Sequence, residues 1–176
     1  MKKVAVSRSF RVPGFTTAGI FCGIKTNKQK DLALIFSEEP SIAAGVFTSN
    51  KVVSPTVTWC RKILGSSKIF RAVVINSGNA NACTGPRGMK DCKSLASKLS
   101  QELAINPEEI LIASTGIIGV PLPRKKIIKA LPTLSSKLSP AGWIHSAEAI
   151  MTTDLTPKFK SFSFHMGKHK ITLGGI

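Results

Sequence analysis

A hydroxyl and a glycine amide stand side by side in Ser114-Thr115-Gly116, directly after the apolar run Ile110 to Ala113. Neighbouring groups of that kind can aim two hydrogen-bond donors at one oxygen, and the glycine lets the backbone approach without a Cβ in the way. Two converging donors are the chemistry of an oxyanion hole, where losing one costs on the order of 3–4 kcal/mol of transition-state stabilisation. The alternative is an ordinary strand-end turn, in which Ser, Thr and Gly are equally at home. Spacing alone does not separate the two. A second loop of the same character, Asn76-Ser77-Gly78-Asn79-Ala80-Asn81-Ala82-Cys83-Thr84-Gly85, follows Val73-Val74-Ile75. It is far longer than a turn requires.

No other constellation competes for catalysis. His145, His165 and His169 lie late in the chain without an acidic partner at a telling distance, and His145 reads as a structural or surface residue beside Trp143. Cys22, Cys60, Cys83 and Cys92 show neither a CxxC nor a Cys/His ligand spacing, so no metal is expected. The chain has 9 Asp+Glu, which makes a two-carboxylate glycosidase site improbable. GxGxxG and GxxxxGK[ST] are both absent, and no organic cofactor has an anchor.

The elements that must position these loops are legible as periodicities. Leu32 to Phe36 and Ile69 to Ile75 are short apolar runs that predict buried strands, the second feeding the Asn-rich loop. Ala43 to Phe47 and Val52 to Val57 read as further extended pieces, with Pro55 marking an edge or bend. From Arg87 to Ile105 the period becomes helical: Met89, Cys92, Leu95, Ala96, Leu99 and Leu103 form one stripe that would lie on a sheet. Asn106-Pro107-Glu108-Glu109 stops that helix and restarts the chain into the strand Ile110 to Ala113. A second helix is expected after Leu122-Pro123 with Ile127, Ile128 and Leu131 inward, and a third from Ser139 and Pro140 through Trp143, Ala147 and Ile150. Phe162, Phe164 and Met166 then alternate as in a strand with one buried face, Gly167-Lys168 turns, and Lys170 to Leu173 returns. Two strands thus deliver small polar loops at their carboxyl ends, where α/β sheets commonly hold ligands.

The 176 residues, 43% of them apolar, suffice for one domain with a real core. The 25 Lys+Arg leave a net charge of +16, which invites an anionic partner. The surplus is scattered in short groups (Lys2-Lys3, Lys28 to Lys30, Arg124 to Lys126, Lys158 to Lys170), none interleaved with aromatics, and Tyr is absent. Neither nucleic acid nor a membrane surface is therefore expected as a partner. The opening MKKVAVSRSFRVPGF is broken by Ser7, Arg8 and Arg11 and reads as neither leader nor membrane span. A cytoplasmic protein with free thiols is expected.

Four segments in order, FTSNKVVSPTV (47–57), VVINSGNANACTGPRG (73–88), ILIASTGIIGVPLP (110–123) and AEAIMTTDLTPK (147–158), resemble the ArgJ family of ornithine acetyltransferases, bifunctional glutamate N-acetyltransferases of arginine biosynthesis. The resemblance runs from about Gly14 to Ile176. It implies an α/β (α+β) fold of the layered ArgJ/DmpA-like kind, with β-sheets packed between helices, of which residues 1–176 form a single N-terminal, α-chain domain. It also implies a precursor that cuts itself in two, freeing a threonine at the start of a β chain as the acyl-accepting nucleophile, its own amine serving as base. That threonine, and the lysine of a preceding Lys-Gly-Ser-Gly stretch, would lie beyond Ile176, so the nucleophile is unassigned and residues 1–176 alone are expected to be inactive.

Carried over by the resemblance, Thr115 (hydroxyl) and Gly116 (N–H) stabilise the oxyanion and Thr152 contacts substrate. The implied reaction is ping-pong: N-acetylornithine acetylates the threonine, ornithine leaves, and glutamate takes the acetyl group. No metal or organic cofactor is implied, although some relatives accept acetyl-CoA as a donor substrate. The implied partner is the β chain of the same precursor, in an α/β heterotetramer or larger assembly. Leu155 replaces a usual threonine and Ser54 a usual alanine, neither at a functional position. Asn76, Asn79 and Asn81 are expected to brace the loop backbone as scaffold. The competing class is a stand-alone basic binding module that has kept the fold and lost catalysis; a peptidase of similar architecture is disfavoured by the MTTD and NSGNAN patterns.

Overall fold

A computed structural model describes residues 10–176. Most of the opening segment, and with it most of the leader and membrane-span reading, lies outside the described residues. Four strands form one sheet in the order β1-β2-β3-β4: β1 (Phe15–Ile20), β2 (Leu32–Ser41), β3 (Phe70–Asn76) and β4 (Ile110–Ser114). The β1–β2 and β2–β3 pairs are antiparallel, and β3–β4 is parallel. The parallel pair is what places two carboxyl ends together, because a parallel neighbour can be reached only through a crossover. That crossover is α2 (Gly85–Leu103), followed by a single turn at Pro107–Glu109 in which the Glu109 carboxylate reaches back to the Asn106 N–H at 3.4 Å.

One row of side chains shows how the sheet is buried. Ala18, Leu34, Val74 and Ile112 are successive partners across the four strands, and each is at most 4% exposed. They share a core with Trp59 and Ile63 of α1 (Pro55–Ser66), Leu95 and Leu99 of α2, and Ile127, Leu131 and Leu134 of α3 (Arg124–Ser136). The expected stripe of α2 is thus the buried one, while Met89 and Leu103 pack at its margin. On the other face α4 (Trp143–Ile150) lies so close to β1 that a Cβ on Gly19 would stand 1.9 Å from the His145 carbonyl oxygen. Glycine is required there because two backbones meet. Farther along this face Val73, Ile75 and Leu111 stay half-exposed.

Both sheet edges are partly covered. Thr17 of β1 exchanges two backbone hydrogen bonds with Ser139, at 3.0 and 3.1 Å. At the other edge the Trp59 indole N–H donates to the Ile110 carbonyl at 3.0 Å, and Cys60 Sγ bonds the carbonyl and N–H of Ile112 at 3.3 and 3.4 Å. Side chains of a helix thereby occupy groups that would otherwise invite another strand.

Four expectations change. Val52 to Val57 is not a strand. Pro55 sits in the first turn of α1, and the Ser54 hydroxyl accepts from the Val57 N–H at 3.3 Å. A serine cap and a proline-led first turn, backed by burial of Trp59 and Ile63, outweigh the β-branched character of the segment. Ala43 to Phe47 joins no strand. Ser139 and Pro140 form a turn, and α4 starts only at Trp143, because the Ser139 backbone is already committed to β1. The hairpin of β5 (Lys160–Met166) and β6 (His169–Gly175) forms as expected, but all of β5 is exposed and no face of it is buried. Ser54→Ala is expected to lower unfolding free energy by about 1 kcal/mol in urea titration, through loss of the cap.

Candidate functional site

The two polar loops leave β3 and β4 at paired residues, Asn76 opposite Ser114, and stay zipped together beyond the sheet. Thr115 N–H donates to the Asn76 carbonyl at 3.0 Å, Ala80 N–H to Ile117 at 2.9 Å and Gly119 N–H to Ala82 at 3.0 Å. Asn76, Asn79 and Asn81 are all at most 7% exposed, and their amides face inward. Asn76 Nδ2 donates to the Asn79 carbonyl at 2.7 Å, Asn79 Nδ2 to Val120 at 3.0 Å and Asn81 Nδ2 to Gly88 at 2.9 Å. The Ser114 hydroxyl donates to Asn76 Oδ1 at 2.7 Å and accepts from Asn81 N–H at 3.0 Å. The asparagines therefore supply the partners that irregular buried backbone lacks. Ser114, the first member of the Ser-Thr-Gly turn, belongs to that brace.

Thr115 and Gly116 are held differently. Both are exposed, and neither the Thr115 hydroxyl nor the Gly116 N–H has a hydrogen-bond partner among the described residues. Gly116 has φ +130°, and a Cβ there would lie 2.3 Å from the Gly78 carbonyl carbon and 2.5 Å from Asn79 N. Only glycine fits this backbone against the neighbouring loop.

The two residues line a cleft of about 610 Å³ together with Ile24, Lys25, Gly78, Thr152 and Thr153. The structure thus brings Thr115, Gly116 and Thr152 to one site. Thr152 arrives from the end of α4. That segment is moored by Ser77, whose hydroxyl donates to the Ala149 carbonyl at 2.5 Å, and by Lys25, whose Nζ donates to the Met151 carbonyl at 2.7 Å. Residue-by-residue reading of the sequence did not single out Lys25, nor Asp31 behind it. Asp31 is fully buried and accepts from the N–H groups of Cys22, Ile24 and Lys25 at 2.6, 2.6 and 3.0 Å, shaping the β1–β2 connection. A carboxylate directly before the buried run of β2, in an acid-poor chain, was the available signal. Burial pulls the Lys25 ammonium below the usual lysine range, an effect opposed by the Asp31 charge.

The remaining candidates lie elsewhere. His145 sits on the surface of α4, its Nδ1 2.7 Å from Lys30 Nζ and 3.5 Å from Glu148 Oε2. Burial raises the Cys60 and Cys92 thiols, the latter to about 12, so both act as neutral core residues. Among the described residues no three His, Cys, Asp or Glu side chains group to hold a metal, and no helix is long and apolar enough to cross a membrane.

Comparison with known proteins matches residues 16–176 to the ArgJ family. The chain belongs to the ArgJ family. Two similar relatives of the family are the arginine biosynthesis bifunctional proteins ArgJ of Thermosynechococcus vestitus, 43% identical over 163 residues, and of Caldanaerobacter subterraneus, 44% identical over 163 residues. Each match covers 93% of this chain but only 39% and 40% of those proteins. Among solved structures, ornithine acetyltransferase from Mycobacterium tuberculosis, in complex with ornithine, aligns at TM-score 0.88 and 38% identity, covering 93% of this chain and 87% of that one. The Bacillus halodurans bifunctional ArgJ protein aligns at TM-score 0.88 and 32% identity, covering 93% of this chain and 85% of that one. The mixed α/β layered architecture is therefore that of ArgJ structures.

Proposed function

We propose that this chain supplies the oxyanion-stabilising wall of an acetyl-transfer site that moves an acetyl group from N-acetylornithine to glutamate in arginine biosynthesis, in the cytoplasm. The observation that carries the proposal is the cleft in which the Thr115 hydroxyl and the Gly116 N–H stand side by side, unpartnered among the described residues, with Thr152 lining the same cleft. Donors fixed by a braced backbone need no reorganisation when negative charge develops, which is what makes such a pair effective. The names of the ArgJ relatives support the choice of pathway.

In the proposed mechanism a threonine hydroxyl on the β chain, outside residues 1–176, attacks the amide carbonyl of N-acetylornithine. The carbonyl oxygen becomes an oxyanion between Thr115 Oγ1 and Gly116 N. Collapse expels ornithine, which takes the proton, and leaves an acetyl ester on the threonine. The glutamate amine then attacks that ester, the same two donors hold the second oxyanion, and N-acetylglutamate departs as the threonine recovers its proton. Each half needs one nucleophile and one amine leaving or entering, so no metal or organic cofactor is required; acetyl-CoA would serve as an alternative donor at the first step.

A β-chain partner is supported by apolar surface around the cleft: Ile117 is 64% and Ile118 65% exposed, on the same loop as the oxyanion pair. Exposed apolar groups of this kind mark interfaces, and an α/β heterotetramer or larger is the assembly we propose. The deciding experiment is an assay of the full-length product with acetyl-labelled N-acetylornithine and glutamate. Label appearing in N-acetylglutamate supports the proposal. Absence of transfer, together with salt-sensitive binding to DNA, would favour the basic binding module instead.

A further inference from the structure

Two segments that line the cleft are joined by one side chain that reaches across 126 residues of sequence. Lys25 lies in the β1–β2 connection, and its ammonium donates to two carbonyls, Lys30 at 2.9 Å and Met151 at 2.7 Å. Met151 is the C-cap of α4 and immediately precedes Thr152. At that point the helix has ended and the chain has no ladder to follow, so its path depends on what holds the cap residue.

Beside the Lys30–Glu148 ion pair on its last turn, two hydrogen bonds to backbone carbonyls hold the end of α4: Ser77 to the Ala149 carbonyl and Lys25 to the Met151 carbonyl. The first fixes the last turn of the helix. The second fixes the direction in which the chain leaves it. Lys25 can do this because its own backbone is not free: Asp31, with no exposed surface, gathers the N–H groups of Cys22, Ile24 and Lys25. Asp31 is tied in turn to the Asn-rich loop, whose Ser77 N–H donates to its carbonyl at 2.9 Å. The Lys25 stem also rests close to Gly78, where a Cβ would come within 3.0 Å of Lys25 Cγ. One lysine is therefore bonded or packed to each of the parts that carry Gly78, which abuts Gly116, and Thr152.

From this geometry we infer that Lys25 is a positioning residue for substrate binding, acting through the Met151 carbonyl to set Thr152 in the cleft that Thr115 and Gly116 line. No carboxylate pairs with its ammonium within 4.0 Å among the described residues; both acceptors are neutral carbonyls. The charge strengthens both hydrogen bonds without being neutralised by them. A methionine of similar length would keep the packing against Gly78 and lose both donations.

The inference rests on the acetyl-transfer reading for its kinetic consequence but not for its structural one, and the test reads both. In the full-length protein with labelled threonine methyl groups, Lys25→Met is expected to shift and disorder the Thr152 and Thr153 methyl resonances, leaving those of Thr16 and Thr17 in β1 unchanged. In the same variant KM for N-acetylornithine and for glutamate should rise about tenfold with kcat within about threefold of wild type, the pattern of lost ground-state and transition-state binding alike. A simple loss of folded protein would lower kcat and leave KM alone. Unchanged Thr152 and Thr153 resonances overturn the inference, and so does an unchanged KM in a variant that transfers acetyl groups. If wild-type protein transfers nothing while Lys25→Met still disorders Thr152, the mooring stands and the acetyl-transfer reading falls.

Discussion

On the proposed function, Thr115→Ala in the full-length protein is expected to lower kcat/KM for acetyl transfer by about a hundred- to a thousand-fold, the cost of removing one oxyanion donor. Its melting temperature should stay within about 2 °C of wild type, because an exposed surface substitution is worth only about 0.5 kcal/mol. The separation of the two effects follows from the structure: the Thr115 hydroxyl bonds nothing among the described residues, so folding loses no contact when it goes. Thr115→Ser keeps the hydroxyl and should retain most of the activity. Wild-type turnover in Thr115→Ala would remove the residue from the mechanism. A matching loss of stability would show that its hydroxyl is a structural group instead.

Gly116→Ala is expected to damage both properties. At φ +130° a side chain is strained wherever it is placed, and here its Cβ would stand 2.3 Å from the Gly78 carbonyl carbon. The obstacle is backbone, braced by Asn76 and Asn79, and it cannot swing aside as a flexible side chain would. Strain of about 1–3 kcal/mol from the backbone conformation, with the displacement of the neighbouring loop added, puts the expected destabilisation at about 3 kcal/mol or more. Urea unfolding measures it directly. Activity should fall at least as far as in Thr115→Ala, since moving the loop shifts both donors and a displacement of about 1 Å can cost a hundredfold. A Gly116→Ala protein as stable as wild type would mean that the two loops do not meet as described.

The contrast between these neighbours explains what the sequence could carry. A Ser-Thr-Gly turn after an apolar strand is ambiguous by itself, because the same three residues suit an ordinary turn. The helical stripe of α2, the strands β3 and β4 and the compact restart at Pro107 were all legible, since periodicity and capping are local and each is written in a few consecutive residues. The strand β1 left no comparable signal: Phe15–Ile20 mixes Thr, Ala and Gly, and its burial comes from β2 on one side and α4 above it. At Ser54-Pro55 two local signals conflicted, and the cap with its proline-led turn prevailed over β-branched residues once Trp59 and Ile63 had a sheet to cover. The hairpin at the end of the described chain shows the reverse case. Alternation predicted a strand with one buried face; the strand forms, but Phe162 is 62% and Met166 65% exposed because nothing among the described residues lies over them.

What the sequence determined by itself is therefore most of the elements around the two loops (β2, β3, α2 and β4) and the resemblance that assigns Thr115, Gly116 and Thr152 together, through motifs 36 residues apart in their nearest members. Its Asn-rich loop also announced a scaffold, since three buried amides are worth their desolvation only where backbone groups need them. What only the tertiary structure decided is which distant residues meet: the zipping of the two loops past Asn76 and Ser114, the cleft that Thr115 and Gly116 share with Thr152, and the reach of Lys25 to Met151. These are contacts between segments far apart in the chain. No local period encodes them, because they arise when a parallel strand pair and a helix end are brought to the same side of one sheet.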